Sequence, residues 1–178
     1  MVNAMKNLYA INHLIVSELQ TRDLWDDGVF GGLHVLPILH ELLSSESNST
    51  FVSAFGRQEM CRLGAILYLA AIRQRFRINL VRGVYISRLK TLIATADELG
   101  IDQHGPLFLW CLLIAGASTK ISEEREWFIA KLVEIITRMG LCSWERVLTV
   151  LKEVLWIDRL LEVELHRLWE SVYFHLNG

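Results

Sequence analysis

The stretch LFLWCLLIAGASTKISEEREWF, residues 107–128, decides how the chain folds. Its first eleven residues, 107–117, carry no charge, and small hydroxyl residues and two glutamates follow them. A helix that is apolar on every side is stable in water only when other elements surround it. The run is also shorter than the roughly 18 to 20 apolar residues that cross a bilayer. The sequence therefore predicts a central, buried helix near 107–117, wrapped by amphipathic neighbours.

Composition places the chain among folded proteins of one domain. It has 178 residues, 52% of them hydrophobic, and its mean hydropathy is +0.32. This apolar content excludes a disordered chain and predicts a large core, with apolar surface left for a partner. The formal net charge is -2, so the chain has no basic excess of the kind that attracts nucleic acid. We expect a single compact helical domain over residues 1–178, with no direct nucleic-acid contact.

Two sequence features bear on the cellular compartment. The longest apolar runs, residues 63–72 and 107–117, are both too short for a membrane span. The N-terminus lacks the basic start, long apolar stretch and cleavage site of a secretory signal peptide. We therefore expect an intracellular protein, nuclear or cytoplasmic, that is not associated with a membrane.

The residues that bind metals and cofactors show no suitable spacing. Cys61, Cys111 and Cys142 are far apart and form no CxxC pair, so we interpret them as small buried hydrophobes. The six histidines include no HExxH motif and no ligand pair four residues apart. Glycine-rich phosphate-binding motifs and the GxSxG nucleophile motif are also absent. The sequence predicts neither a metal site nor a cofactor.

Hydrophobic periodicity predicts an all-α fold of about eight helices, and strand signals are almost absent. We interpret residues 26–32, DDGVFGG, as a loop and residues 44–50 as a polar linker. The predicted helices cover about 5–22, 33–43, 56–76, 80–99, 106–116, 123–139, a segment that begins after residue 143, and 160–175.

Local residues predict where several helices begin and end. Asn79, Ser122 and Ser143 are predicted N-caps, because their side-chain oxygens can accept from the first backbone N–H groups of a helix. Gly100 and Gly140 are predicted to end helices, because glycine adopts the left-handed conformation at little cost.

One polar cluster, formed by Gln58, Glu59 and Arg62, precedes a fully apolar segment of the third helix. Helical spacing places Gln58 and Glu59 beside Arg62. One interpretation is a partly buried ion pair that ties this helix to a neighbour. The other is a set of polar anchors at the edge of an apolar ligand pocket.

Tryptophan is concentrated in the last third of the chain. Core packing is one interpretation of these large side chains, each of which carries one N–H group to satisfy. An aromatic-lined pocket or a dimer seam is the other, since tryptophan is favoured in both. The six residues are Trp25, Trp110, Trp127, Trp144, Trp156 and Trp169.

Several segments in order carry a family resemblance: LPILHELL (36–43), QEMCRLGAILYLAAIRQRF (58–76), LFLWCLLIAGAST (107–119), EREWFIAKLVEIITRMGLCSWERVLTVLKEVLWID (124–158) and LWESV (168–172). Over about residues 33–172 the chain resembles the regulatory domain of fungal zinc binuclear-cluster transcription factors. The resemblance implies an all-helical domain associated with sensing, autoinhibition and interaction. The cysteine-rich DNA-binding cluster of that family is missing, so DNA binding is not carried over. The length matches the C-terminal part of the family's regulatory region, which suggests a piece of a longer regulator or a stand-alone relative.

Three hypotheses for function remain open at this point. The first is a regulatory or interaction module that binds a protein partner or a small apolar effector and forms a homodimer. The second is a stand-alone, cofactor-independent enzyme of fungal secondary metabolism, an isomerase, cyclase or dehydratase acting in an apolar pocket. The third is a purely structural partner subunit. Residue type alone nominates Glu59, Arg62, Trp110, His34 and His104 as candidate ligand-binding or catalytic residues.

Overall fold

A computed structural model describes residues 2–45, 52–98 and 105–177. Within these ranges the backbone forms eight helices and no strand, which confirms the predicted all-α fold. None of the helices in the described part of the chain is long and apolar enough to span a bilayer. The helices are α1 (Val2–Glu18), α2 (28–44), α3 (Val52–Arg75), α4 (Gly83–Glu98), α5 (Pro106–Ser118), α6 (Ser122–Met139), α7 (Trp144–Val154) and α8 (Glu162–Asn177).

Helix α5 lies at the centre of the fold. Every residue from Phe108 to Ser118 is buried, so the helix has no side that faces water. Helices α3 and α6 pack against it most extensively, and α4, α7 and α8 complete the surrounding layer. The predicted central apolar helix is therefore confirmed. Pro106 occupies its first turn, where the missing N–H is not needed.

Two glycines allow other helices to approach α5 closely. A Cβ atom at Gly64 of α3 would lie 2.7 Å from Cys111 Sγ and 2.8 Å from Trp110 Cζ3. At Gly116 of α5 the nearest heavy atom to such a Cβ would be Leu168 Cδ2 of α8, at 3.1 Å. The core is thus filled to atomic contact at both positions.

The segment DDGVFGG, predicted to be a loop, is helical from residue 28 onwards, so that prediction is wrong. Asp27 accepts a hydrogen bond from the Phe30 N–H at 2.9 Å and caps the first turn. Helix α2 then continues through a π-helical turn, Gly31–Val35, into Leu36–Ser44. Phe30 is buried, and its ring stacks 6.1 Å from that of Phe76. This tertiary contact overrides the local turn preference of glycine and aspartate.

The end of α6 agrees with the sequence, whereas the start of α4 does not. Gly140 ends α6 in the left-handed conformation, with φ 66°. Asn79 is not the N-cap of α4. The first N–H groups of that helix donate to the carbonyl of Arg82 at 3.0 Å, so Arg82 is the residue at the cap position. Ser122 is the first residue of α6 and not its cap. Ser143 holds the cap position of α7, but without the predicted side-chain hydrogen bond to the first turn.

Helix α3 ends without a glycine. Arg77 adopts the left-handed conformation, with φ 61°, and its N–H donates to the Gln74 carbonyl at 3.0 Å. The Ile78 N–H donates to the Arg73 carbonyl, also at 3.0 Å. This is the Schellman arrangement, which satisfies two carbonyls of the last turn. Gly100 and most of the predicted linker at 44–50 lie outside the described residues.

We expect Gly64→Ala to lower the free energy of unfolding by about 1–3 kcal/mol, because the added methyl group would overlap two core atoms. Gly56→Ala is the matched control in the same helix, since nothing lies within 4 Å of its Cβ position. That control should raise stability by about 0.5–1 kcal/mol through helix propensity. Urea denaturation followed by circular dichroism measures both, and equal midpoints for the two variants would contradict the packing.

Candidate functional site

The structure separates the residues that the sequence nominates for a site. Glu59 and Arg62 lie together on α3, and Trp110 is fully buried in α5. His34 is exposed on the π-helical turn of α2. His104 lies outside the described residues. None of the four described candidates lines the three grooves described below.

Glu59 and Arg62 form a buried ion pair. Arg62 Nε and Nη2 each donate to one Glu59 carboxylate oxygen at 2.7 Å. Arg62 Nη1 donates to the Leu42 carbonyl in the last turn of α2 at 2.9 Å. Arg88 of α4 reaches the same carboxylate, with Nη2 3.3 Å from Glu59 Oε1. These contacts link α3 to α2 and α4. They match the first interpretation of the cluster, in which a buried ion pair ties this helix to its neighbours.

Trp110 belongs to the core. Its side chain is fully buried, and its ring centroid lies 5.5 Å from that of Tyr68. A buried indole N–H needs an acceptor, and Trp110 Nε1 donates to the Leu155 carbonyl at 2.8 Å. This bond holds the backbone just beyond α7.

A second buried contact holds the next residue of the same segment. Asn12 Nδ2, on α1, donates to the Trp156 carbonyl at 3.3 Å, and the Tyr68 hydroxyl donates to Asn12 Oδ1. Burial raises the pKa of Tyr68 well above its ordinary value, so the phenol keeps the proton that it donates. Two successive carbonyls between α7 and α8 are therefore anchored by donors from the core.

Three open grooves meet at this anchored segment. The largest, of about 860 Å³, lies between α1, the turn that follows it and residues 152–159. We call it the Trp25 groove, because Trp25 lines this groove and neither of the other two. A groove of about 740 Å³ between α7 and α8 is named the Trp169 groove, and a third of about 510 Å³ lies beside the end of α3. Arg159 lines all three grooves, and Trp156 lines the two larger ones.

Four of the six tryptophans line the two larger grooves. Trp25 lies in the first, Trp144 and Trp169 lie in the second, and Trp156 lies between them. The Trp144 ring centroid is 5.5 Å from that of Trp169 and 6.5 Å from that of Trp156. All four side chains are partly exposed. The sequence interpretation of an aromatic-lined pocket fits these four, and core packing fits Trp110.

Two arginines of the Trp25 groove have no acidic partner among the described residues. The Arg75 guanidinium carbon lies 5.2 Å from the centroid of the Trp25 ring, in a cation–π contact. Arg159 has φ 64°, a left-handed conformation that residues other than glycine rarely adopt. Strained residues of this kind often occur where ligands bind.

The acids of the same groove are already engaged. Asp23 accepts a hydrogen bond from the Trp25 backbone N–H at 3.2 Å. Asp158 accepts from Trp156 Nε1 at 3.0 Å and lies 3.6 Å from Lys152 Nζ. The groove therefore has two arginines without an acidic partner in the described part of the chain, while Asp158 is paired with Lys152 and Asp23 accepts a backbone hydrogen bond.

The cysteines do not line these grooves, and the interpretation of all three as buried is wrong for Cys142, which is exposed, while Cys61 is only partly buried. Burial raises the pKa of Cys111 well above its ordinary value and also raises the pKa of Cys61, so both are neutral thiols. Across residues 2–45, 52–98 and 105–177, no three side chains of His, Cys, Asp or Glu converge as metal ligands do. The grooves offer aromatic faces and arginine N–H groups, beside the carboxylates and imidazoles that also line them.

Comparison with known proteins adds nothing to this geometry: no protein-family model, curated protein or solved structure matches the chain. The resemblance to the fungal regulatory domain accordingly stays a prediction. Function has to be inferred from the grooves themselves, since a helical fold alone does not determine one.

The residue types in the sequence did not nominate Arg75 and Arg159, which line the groove. They also did not nominate Asn12, which anchors the neighbouring Trp156 carbonyl. Asn12 does carry a signal, because it is a polar residue beside Leu8, Ile11 and Ile15 on the buried side of α1. A polar side chain at such a position needs a buried partner. The left-handed conformation of Arg159 has no comparable signal in the sequence.

Arg62→Ala should lower the free energy of unfolding by about 3–5 kcal/mol, because it leaves the buried Glu59 carboxylate without its main donor. The double variant Glu59→Leu/Arg62→Met should lose much less, since apolar side chains replace a buried ion pair at small cost. Chemical denaturation measures both. A double variant as unstable as Arg62→Ala would argue against the structural role.

Asn12→Leu removes the acceptor of the Tyr68 hydroxyl and the donor to the Trp156 carbonyl. We expect a loss of about 1–3 kcal/mol in stability and a shifted Trp156 indole N–H signal in the ¹H–¹⁵N spectrum. Asn7→Leu is the control on the same helix: Asn7 contacts the exposed Glu41 at 3.4 Å, and its loss should change stability by no more than about 0.5 kcal/mol. An unmoved Trp156 signal would show that the anchor does not hold this segment.

Proposed function

We propose that the chain is a regulatory and interaction module that binds a small apolar effector in the grooves around Trp156 and pairs with a second copy of itself. The observation that carries the proposal is the set of four partly exposed tryptophans around open grooves beside a filled core. Volumes of about 740 and 860 Å³ lie within the range of about 300–1,000 Å³ that small-molecule sites occupy. Aromatic walls with a few polar groups are the usual composition of such sites.

The proposal assigns no nucleic-acid contact to this chain. Its charge is balanced at -2, and nucleic-acid binding is driven largely by neutralisation of phosphates. The fungal regulatory domain that the sequence resembles supports sensing and interaction as the role.

Catalysis is the less well supported alternative. A cofactor-independent isomerase or dehydratase needs an acid or base directed at its substrate. Glu59, the carboxylate that the sequence nominates, accepts from Arg62 at both oxygens and does not line the described grooves. The acids and bases that do line them include His13, Glu162 and His166, so these would be the candidates if the chain were an enzyme. These grooves are also open to solvent, whereas such reactions favour a site that excludes water.

Helix α2 supports pairing with a second copy. Val29, Leu33, Leu36 and Leu43 are 70%, 67%, 46% and 37% exposed. Together with the exposed His40, they line the solvent side of α2 on both sides of its π-helical turn, as an apolar stripe that could form the seam with a second helix. A two-fold pair places the same stripe on both copies, and this is the commonest symmetry of oligomers.

Native mass spectrometry of the gently purified chain tests both parts of the proposal. We expect a mass of two chains, plus the mass of a retained small molecule. Trp156→Ala should lose the retained molecule, while Trp127→Ala should keep it, because Trp127 lines none of the described grooves. A retained molecule that survives Trp156→Ala would place the site elsewhere.

The double variant Leu33→Glu/Leu36→Glu should convert the dimer into a monomer, because it would bury like charges in the seam. Phe174→Glu is the matched control, since Phe174 is 74% exposed on α8 and not on α2. Light scattering after size-exclusion chromatography measures the mass of each variant. A wild-type chain that stays monomeric at the highest soluble concentration would contradict pairing through α2.

A further inference from the structure

We infer that the Trp25 groove binds a small organic acid, with the carboxylate on Arg75 and Arg159 and the apolar body against the indoles of Trp25 and Trp156. The inference rests on the proposed function, which places an effector in these grooves, and adds the chemical class of that effector.

Arg75 has no acid to pair with among the described residues and is available to an anion. Its guanidinium carbon lies 5.2 Å from the centroid of the Trp25 ring, which is itself in edge contact with Phe76 at 5.3 Å. This cation–π contact does not use the guanidinium N–H groups in an ion pair, and a guanidinium can donate two parallel bonds to a carboxylate. No described carboxylate forms an ion pair with Arg75.

Arg159 brings a second unpaired cation to the same groove. It follows the anchored residues Leu155 and Trp156 closely in the chain, and both it and Arg75 line the Trp25 groove and the small groove beside α3. Arg159 is exposed, and its backbone is in the left-handed conformation. Two arginines without a described acidic partner thus line the same two grooves, of which the small one is also lined by Glu162 and Glu164.

The charge balance of the Trp25 groove favours an anion. Of the four cationic side chains in the lining, Arg22 is paired with Glu18 and Asp27, and Lys152 is paired with Asp158. This leaves Arg75 and Arg159 against Asp23, which accepts a backbone hydrogen bond. The cations are Arg22, Arg75, Lys152 and Arg159, and the acids are Asp23 and Asp158.

The side chains that line the Trp25 groove are complementary to a ligand whose apolar part is aromatic or aliphatic. Tyr9 is 54% exposed and lies in edge contact with His13, at 4.8 Å between ring centroids. Trp25 and Trp156 are partly exposed in the same groove. Flat aromatic faces beside arginine edges are complementary to a molecule with an apolar body and a single carboxylate. A volume of about 860 Å³ is that of a small-molecule site, so we assign the groove to a free acid and not to an acidic peptide.

Three probes of the same shape and different charge test the inference: 2-naphthoate, 2-naphthamide and 2-naphthylmethylammonium. Each is titrated into the full chain while the six indole N–H signals are followed in ¹H–¹⁵N spectra. We expect 2-naphthoate to bind roughly tenfold more tightly than the amide, because its charge adds hydrogen bonds to arginine. The signals of Trp25 and Trp156 should move, and that of the buried Trp110 should not.

Arg159→Gly and Arg77→Gly form a matched pair of variants. Both replace an arginine in the left-handed conformation, with φ 64° and 61°, by the residue that adopts it most readily. Both lose one positive charge, but Arg77 does not line the Trp25 groove. We expect Arg159→Gly and Arg75→Gln to reduce naphthoate affinity to that of naphthamide, and Arg77→Gly to leave it unchanged. Thermal unfolding establishes that all three variants are folded.

The outcomes separate this inference from the proposed function. Equal binding of naphthoate and naphthamide at Trp25 and Trp156 would overturn the organic-acid assignment and leave an apolar effector site in place. Equal loss of naphthoate binding in Arg159→Gly and Arg77→Gly would also overturn it, as a general charge effect. Shifts in none of the groove tryptophans with any probe would overturn both. An alternating Glu-Leu peptide that binds there more tightly than naphthoate would reassign the groove to an acidic peptide.

Discussion

Burial of α5 on every side is the constraint on which the other helices depend. Phe108 to Ser118 leave no face for water, so α3, α6, α7 and α8 must each present an apolar stripe to the same helix. Contact on all sides requires small residues where backbones approach, and Gly64 and Gly116 supply them. The same close contact leaves little room for a ligand inside the core. The three described grooves accordingly lie at the periphery, where the outer helices and their connections meet.

The core nevertheless determines the shape of that periphery, through its few polar groups. The Trp110 indole N–H and the Asn12 amide must find acceptors, and they find them at the carbonyls of Leu155 and Trp156. A connection that would otherwise be mobile is thereby fixed at two successive residues. Trp156 is presented between two grooves, and Arg159 follows it at their junction. A ligand that binds here meets walls that are already ordered, so less conformational entropy is lost on binding.

The sequence predicts the features that arise from local chemistry and misses those that arise from distant contacts. The apolar run of α5, Pro106 in its first turn and Gly140 at the end of α6 each act through their immediate neighbours, and all three predictions are confirmed. The loop predicted at 26–32 is helical from residue 28 onwards, because Phe30 packs on Phe76, more than forty residues away in the chain. The same limit applies to the site. Tryptophan enrichment indicated an aromatic surface, but only the fold shows that Trp110 is in the core and that Arg159 lies at the junction of the grooves.

The arginines of this protein also show why a cation at a groove need not be available to a ligand. Arg62 is buried and must be neutralised, so its N–H groups are used by Glu59 and the Leu42 carbonyl. Arg22 lines the Trp25 groove but donates to two carboxylates, Glu18 at 2.7 Å and Asp27 at 2.9 Å, and an incoming anion would have to displace them. Arg75 contacts the Trp25 ring instead of an acid, so its N–H groups are not used in an ion pair with a described residue. Under the organic-acid hypothesis an anion would bind this arginine without first breaking an ion pair, which favours Arg75 over the paired Arg22 as its partner.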